Sequence, residues 1–181
     1  MKFLKFFTAI ILFTAVLSCR NNDIPEDIHE HEEVNKITLT ITENGTTNTQ
    51  TVSFQAGTGA TAPINLENGK LYSVNVGFFH HHNGVDEDIT AEIIEEKDEH
   101  FIKYQFGGIQ VEVLRTAEDI VRSDHEKIGL KTQWTVNSAP SNAVAIVQLF
   151  HGATTVNGSD NNGAGSTVGG EADVNAQFTV N

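Results

Sequence analysis

The sequence predicts an all-β protein, an antiparallel two-sheet sandwich of the immunoglobulin-like type with one short helix. Apolar and polar residues alternate from Lys36 onward, which is the pattern of strands that bury one face. Most connections between these strands are short, and no strand–helix–strand spacing of the kind that a parallel sheet requires is present. Leu, Ile, Val and Phe are frequent enough in the 181 residues to form a core.

Eight strands follow from this alternation, and one segment departs from it. The segment 143–150 is apolar on both faces, which indicates a central strand. Gly107 and Gly108 predict a tight hairpin, because glycine accepts the positive φ angles of a primed turn. Residues 86–98 are rich in helix formers and begin with acidic residues, so they predict a short helix over one end of the sandwich. The strands are predicted around residues 37–41, 52–54, 72–78, 102–106, 109–113, 128–136, 143–150 and 174–180.

The first eighteen residues have the pattern of an export signal. Lys2 and Lys5 precede the apolar run 6–17, which is shorter than the roughly 20 residues that span a bilayer. The sole cysteine, Cys19, follows Val-Leu-Ser and resembles the lipidated cysteine of the bacterial lipobox. Acyl chains on that residue contribute about 0.8 kcal/mol per buried methylene to membrane binding. The sequence therefore predicts a signal peptide at 1–18 and a membrane-anchored lipoprotein.

Residues 19–35 are polar and acidic, and they predict a flexible tether before a β-sandwich domain at 36–181. His29 and His31 lie in this tether and are interpreted as solvated linker residues. The remaining chain has no partner for Cys19, so the fold is expected to depend on packing without an internal disulfide.

Charge and motif content exclude several functions. The formal net charge of −13 argues against nucleic acid as a partner, because each phosphate contact must neutralise an anion. The sequence contains no nucleophile elbow, HExxH pair or phosphate-binding glycine loop, so no enzymatic activity is predicted. The loop 157–163 lacks the glycine and closing glutamate of an EF-hand.

Alternation of strand direction predicts where the histidines gather. If successive strands alternate in direction, the stretches 80–99, 116–127 and 152–171 and the turn at Asn44-Gly45 all emerge at one pole. The tether then enters at the opposite pole, because it precedes the first strand. Imidazole and carboxylate are frequent ligands of zinc and copper, which makes this pole a candidate metal site. The candidate ligands are His80, His82, His100, His125, His151, Glu99 and Asp124.

Several segments together resemble a family of small lipoproteins of Bacteroidetes and flavobacteria, often labelled as type 1 periplasmic-binding-fold superfamily proteins. The resemblance rests on the cysteine motif, the acidic tether, residues 86–106, Ile128-Gly129-Leu130, the strand end at 149–151 and the pattern 169–180. Of the candidate ligands, His100 and His151 fit the family pattern best. Residues 122–127 and the triplet 80–82 depart from it. The label implies solute binding, whereas the strand periodicity does not suit a two-lobed α/β protein.

Two hypotheses of function follow. In the first, an outer-membrane lipoprotein, in the periplasmic or the cell-surface leaflet, binds a small ligand such as zinc or copper at its histidine-rich pole. The family resemblance implies that it then serves a TonB-dependent uptake receptor. In the second, the domain is an adhesion or structural module with a protein or glycan partner and no metal, and its negative pole only repels and solubilises.

Overall fold

Alternating burial along the chain produces an antiparallel β-sandwich with one short helix in the computed structural model, which describes residues 33–181. All eight strands predicted from the sequence are present, and four short strands join them. In chain order the elements are β1 (Lys36–Glu43), β2 (Thr49–Gln55), β3 (Gly59–Ala60), β4 (Leu71–His82), β5 (Val85–Asp88), α1 (Thr90–Glu95), β6 (His100–Gly107), β7 (Val111–Arg115), β8 (Lys131–Val136), β9 (Ala143–His151), β10 (Thr155–Asn157), β11 (Ser166–Val168) and β12 (Glu171–Val180).

The strands form two main sheets and a small ribbon. The larger sheet has the order β3-β2-β1-β4-β8-β7, with β5 also paired to β4. The three-stranded sheet has the order β12-β9-β6, so β9 is central, as its two apolar faces predicted. β10 and β11 pair with each other alone. All of these strand pairs are antiparallel, which confirms the predicted fold class at the level of an antiparallel all-β sandwich.

The hydrophobic core lies between the two main sheets. Trp134 on β8 is fully buried and contacts Tyr104 and Phe106 of β6 edge-on, with ring centroids 5.5 and 5.0 Å apart. The Tyr104 hydroxyl donates a 2.6 Å hydrogen bond to the carbonyl oxygen of Gly129, so its polar atom is satisfied inside the core. Burial of each large side chain of this kind contributes about 1.5–3 kcal/mol. The prediction that Trp134 is a core residue is confirmed.

The predicted hairpin at Gly107-Gly108 is wrong. β6 pairs with β9 and β7 pairs with β8, so the chain crosses at these glycines from one sheet to the other. Gly108 has a φ of +70°, and its carbonyl oxygen accepts a 2.8 Å hydrogen bond from the Ser141 amide. The two glycines thus lie where the chain passes from one sheet to the other. The sequence had predicted a tight turn there between two neighbouring strands of one sheet.

The predicted helix is shorter than the segment 86–98. Residues 86–88 belong to β5, a strand that returns along β4 after a turn at Asn83 and Gly84, both of which have positive φ. α1 occupies only residues 90–95 and buries Ile93, next to the buried Ile89 that precedes it. Strand pairing with β4 therefore prevails over helix propensity at the start of this segment.

Strand direction corrects the predicted position of the chain entry. Lys36, at the start of β1, pairs with Phe79 near the end of β4, whereas Glu43 pairs with Tyr72. Simple alternation fails because the connection 56–70 runs the length of the sheet before β4 begins. The entry at residues 33–36 and the histidine triplet 80–82 therefore share one end of the sandwich, which we call the histidine end.

The long connections nevertheless gather as predicted. Arg122 donates a 2.7 Å hydrogen bond to the carbonyl oxygen of His100, and the Glu126 carboxylate accepts one of 2.8 Å from the Gly158 amide. Parts of the predicted stretches 80–99, 116–127 and 152–171 therefore meet at the histidine end. The turn at Asn44-Gly45 lies at the other end, beside Leu71 at the start of β4, which corrects its predicted place.

The last residues of the predicted tether are part of the sandwich. Val34 is buried, and the side chain of Asn35 bonds the backbone of His81 in both directions, at 3.1 and 2.7 Å. The sandwich thus includes residues 33–35, which the sequence places in the tether. The signal peptide at 1–18, the lipidation site at Cys19 and the tether histidines His29 and His31 lie outside the described residues.

The crossing at Gly108 generates a test of the fold. A Cβ atom at Gly108 would lie 2.3 Å from the carbonyl oxygen of Ser141, whereas one at Gly45, with a similar φ of +78°, meets open space. We expect Gly45→Ala to lower the free energy of unfolding by about 1–2 kcal/mol, the cost of a left-handed residue. Gly108→Ala should cost roughly 1–3 kcal/mol more, because backbone atoms must also move. Denaturant unfolding of the two variants measures the difference, and equal losses would contradict this account.

Candidate metal centre

Two histidines face each other across the three-stranded sheet at the histidine end. His100 begins β6 and His151 ends β9, and the register of these strands pairs the two residues directly. Their rings stack with centroids 4.9 Å apart and an angle of 22° between their planes. Ile102 and Leu149, two residues further along each strand, are fully buried, so both rings lie on the face that packs against the core. His100 is therefore 2% exposed, at the rim of the hydrophobic core.

An aspartate joins the two rings because β12 is irregular. The pairing of β12 with β9 shifts register between Ala172 and Val174, so Asp173 is an extra residue in the strand. Such a bulge re-aims the side chain that it contains. An oxygen of Asp173 lies 3.8 Å from Nε2 of His100. Strict alternation with the inward-facing Val174 would have placed the Asp173 side chain on the opposite face of the sheet, away from the two rings.

These three side chains form a cluster of potential metal ligands. One ligand atom from each of His100, His151 and Asp173 lies within 4.8 Å of the others, and among residues 33–181 they are the sole group of three that meets this distance. A tetrahedral zinc ion with ligand bonds of about 2.0–2.1 Å keeps its ligand atoms roughly 3.3–3.5 Å apart. To hold such an ion, the ligand atoms must therefore move closer to one another by up to about 1.4 Å.

A second carboxylate lies beside the group. Nε2 of His151 is 2.8 Å from Oε2 of Glu99, the residue that precedes β6. Two imidazoles and two carboxylates are a donor set that suits zinc and copper(II). In this arrangement Glu99 also orients the His151 ring.

The tautomer of His100 follows from its hydrogen bond. Nδ1 lies 3.1 Å from the carbonyl oxygen of Glu96, at the end of α1. A carbonyl oxygen only accepts, so Nδ1 must donate, and the neutral ring carries its lone pair on Nε2. Nε2 is the atom that faces Asp173. Backbone carbonyls commonly fix metal-binding histidines in this way.

Burial keeps the His100 imidazole neutral. Desolvation is the main effect that lowers the pKa of His100 below its usual value, and the nearby His151 adds to it. The hydrogen bond to the Glu96 carbonyl and the charge of Asp173 act in the opposite direction without reversing the shift. The lone pair that a metal requires is therefore present at neutral pH.

Arg122 holds the start of β6 in place. Its guanidinium is buried and donates hydrogen bonds to the carbonyl oxygens of Lys97 and His100, at 3.1 and 2.7 Å. Asp124 pairs with the same guanidinium at 3.0 Å. Asp98 accepts hydrogen bonds from the amide and hydroxyl of Ser123, which lower the pKa of its carboxyl group. The connection 116–130 thus fixes the backbone on which His100 stands.

The structure brings together some of the predicted ligands and separates the others. His100, His151 and Glu99 meet as expected. His80 and His82 share a face of β4, with ring centroids 5.9 Å apart, but no third ligand of the described chain completes a group with them. These two histidines lie on β4 of the larger sheet, whereas His100, His151 and Asp173 lie on the three-stranded sheet. The sequence predicted a loop from residue 80, but β4 continues as a strand to residue 82. Nδ1 of His80 instead lies 2.9 Å from the carbonyl oxygen of Glu33.

Two further predicted ligands are also excluded from the group. Asp124 is committed to Arg122, and His125 follows it in a turn with a φ of +72°. Asp173 was missed, since its place depends on a bulge that alternation does not reveal. The available signal was Gly169-Gly170 directly before the strand, because such glycines accompany irregular strand starts.

Comparisons with known proteins find no protein that is similar to this chain. No protein-family model, no curated protein and no solved structure matches the chain. Within the part of the chain that the structure describes, no helix has both the length and the apolar character needed to cross a membrane.

The burial of His100 predicts a pH-dependent stability in metal-free protein. Below about pH 6.5 the unfolded chain binds a proton at this residue that the folded chain resists, so the free energy of unfolding falls with acidification. We expect His100→Gln to show a smaller loss between pH 7 and pH 5 than the native chain. Denaturant unfolding in the presence of a chelator measures both. An identical pH dependence in the two proteins would contradict the assigned role of burial.

Proposed function

We propose that the protein is a non-enzymatic, membrane-anchored lipoprotein that binds a transition metal ion, zinc or copper, at the histidine end. His100, His151 and Asp173 are the ligands, with Glu99 as a fourth donor or as the partner of His151. The observation that carries this proposal is the convergence of two imidazoles and a carboxylate within 4.8 Å at the rim of the core. Cys19 is the proposed lipidation site, and its acyl chains anchor the protein in the periplasmic or the cell-surface leaflet of the outer membrane.

Electrostatics support a cation as the ligand. The chain carries a net charge of −13, and both Glu99 and Asp173 stand beside the imidazoles. Negative charge at a partly buried site favours a divalent cation and raises its local concentration. As implied by the resemblance to small flavobacterial lipoproteins, we propose that the ion is passed to a TonB-dependent receptor of the outer membrane.

The ligand atoms of the site predict which of the two metals it binds more tightly. A site of nitrogen and oxygen ligands binds copper(II) more tightly than zinc in the usual series of divalent ions. Ligand protonation competes with either metal, so affinity should decline as the pH falls below about 6.5.

Calorimetric titration tests the proposal on soluble protein that begins at residue 20, since the body of residues 33–181 has its own core. We expect copper(II) and zinc to bind with one site per chain. His151→Ala and Asp173→Asn should each weaken binding by more than about 100-fold, because loss of an outer partner alone costs about 10- to 100-fold. His82→Ala is the matched control and should bind normally.

Two results would refute the metal function. One is the absence of heat at micromolar concentrations of either metal, and the other is unchanged affinity in both ligand variants. Thermal unfolding separates this proposal from a metal-free adhesion or structural module. Metal at 100 times its Kd should stabilise the native chain by about 2.7 kcal/mol, whereas a module of the second kind would be indifferent to it.

A further inference from the structure

A groove of about 780 Å³ lies along the side of the sandwich where the two main sheets do not pair. β6 forms one wall and β7 the other, and residues 161–167 cross between them. The Tyr104 amide donates to the carbonyl oxygen of Ala164 at 2.9 Å, and the Val113 amide donates to that of Asn162 at 2.8 Å. This crossing segment closes one end of the groove. The volume is within the roughly 300–1,000 Å³ that small-molecule sites occupy.

The lining is rich in amide and hydroxyl groups. Three exposed amide side chains, Gln110, Asn137 and Asn162, have no hydrogen-bond partner within residues 33–181. Thr167 and Ser166 of the crossing segment also line the groove, although the Ser166 hydroxyl already donates a hydrogen bond to Asp160. An uncommitted amide offers two donors and one acceptor in a plane.

Charge in the groove is balanced, although the chain as a whole is strongly acidic. Lys103 and Glu112 are the sole charged residues among those that line it. The apolar part of the lining includes Phe106, a half-buried ring held edge-on against Trp134. The accessible part of such a ring suits the apolar face of a polar ligand.

Little strand edge is available for a peptide. Ile102 and Tyr104 direct their amides away from β9, towards the carbonyl oxygens of Ile128 and Ala164. Phe106, two residues further on, directs its amide to the same side, where the groove is open. Because the crossing segment already covers Tyr104, a bound peptide would gain few ladder hydrogen bonds, so main-chain pairing does not favour it.

We propose that this groove binds an uncharged saccharide. Sugar hydroxyls are paired donors and acceptors that match the free amides, the balanced charge favours a neutral ligand, and Phe106 offers a surface for the C–H face of a ring. The site is independent of the metal proposal, because it uses none of the metal ligands.

The test is a titration of isotope-labelled protein, from residue 20 onward, followed by amide NMR. The probes are neutral oligosaccharides of glucose, mannose, xylose and galactose, in α- and β-linked forms. We expect at least one of them to shift the signals of residues 105–112 and 161–167 and to leave those of 100, 151 and 173 unchanged. A double variant with Gln110→Ala and Asn137→Ala should bind about tenfold more weakly, as expected for two lost neutral hydrogen bonds.

Asn175→Ala with Gln177→Ala is the matched control, since these exposed amides lie on β12 outside the groove and should not affect binding. His151→Ala and added chelator should also leave saccharide binding intact, which separates this proposal from the metal function. The proposal is overturned if no saccharide shifts the groove signals at millimolar concentration. It is also overturned if the double variant binds as well as the native chain, or if a peptide digest gives the shifts that the saccharides do not.

Discussion

The register in which β9 pairs with its two neighbours is the constraint on which the candidate metal site depends. Pairing with β6 sets His151 directly opposite His100, and pairing with β12 contains the bulge at Asp173. A slip of one residue would send the His151 side chain to the opposite face of the sheet. The inward face of β9 is buried from Ala143 to Leu149, so such a slip would also expose the core. Hydrophobic burial therefore fixes the site geometry.

At the same end of the sandwich, polar contacts offset the cost of burying two polar side chains, His100 and Arg122. His100 is buried as a neutral ring because the Glu96 carbonyl satisfies Nδ1, and Arg122 is buried because two backbone carbonyls and Asp124 surround its guanidinium. The side chains of His100 and Arg122 thus both have polar partners, which avoids a cost of about 1–3 kcal/mol for an unsatisfied buried group. These contacts fix the backbone that carries His100, and support of this kind is what a metal site would need from its surroundings.

The crossing of the chain between sheets explains the second candidate site. At Gly107 and Gly108 the chain leaves the three-stranded sheet for the larger one, so β6 and β7 stand at open edges that face each other. Residues 161–167 bridge part of this seam and leave the remainder as a groove. A hairpin at the glycines would have paired the two edges and removed the space. The error in the hairpin prediction and the existence of the groove have one origin.

The sequence alone determined the strands, the central position of β9 and the burial of Trp134, because alternation of apolar residues reports directly which face meets the core. It also placed Glu99, His100 and His151 at one end. Only the tertiary structure decided the direction of β4 and the entry of the chain at the histidine end. It also decided that Asp173 joins His100 and His151 in the cluster of potential ligands, and that His80, His82, Asp124 and His125 lie outside it. Strand pairing joins residues far apart in the chain, and a bulge changes a side chain's direction without changing the apolar pattern.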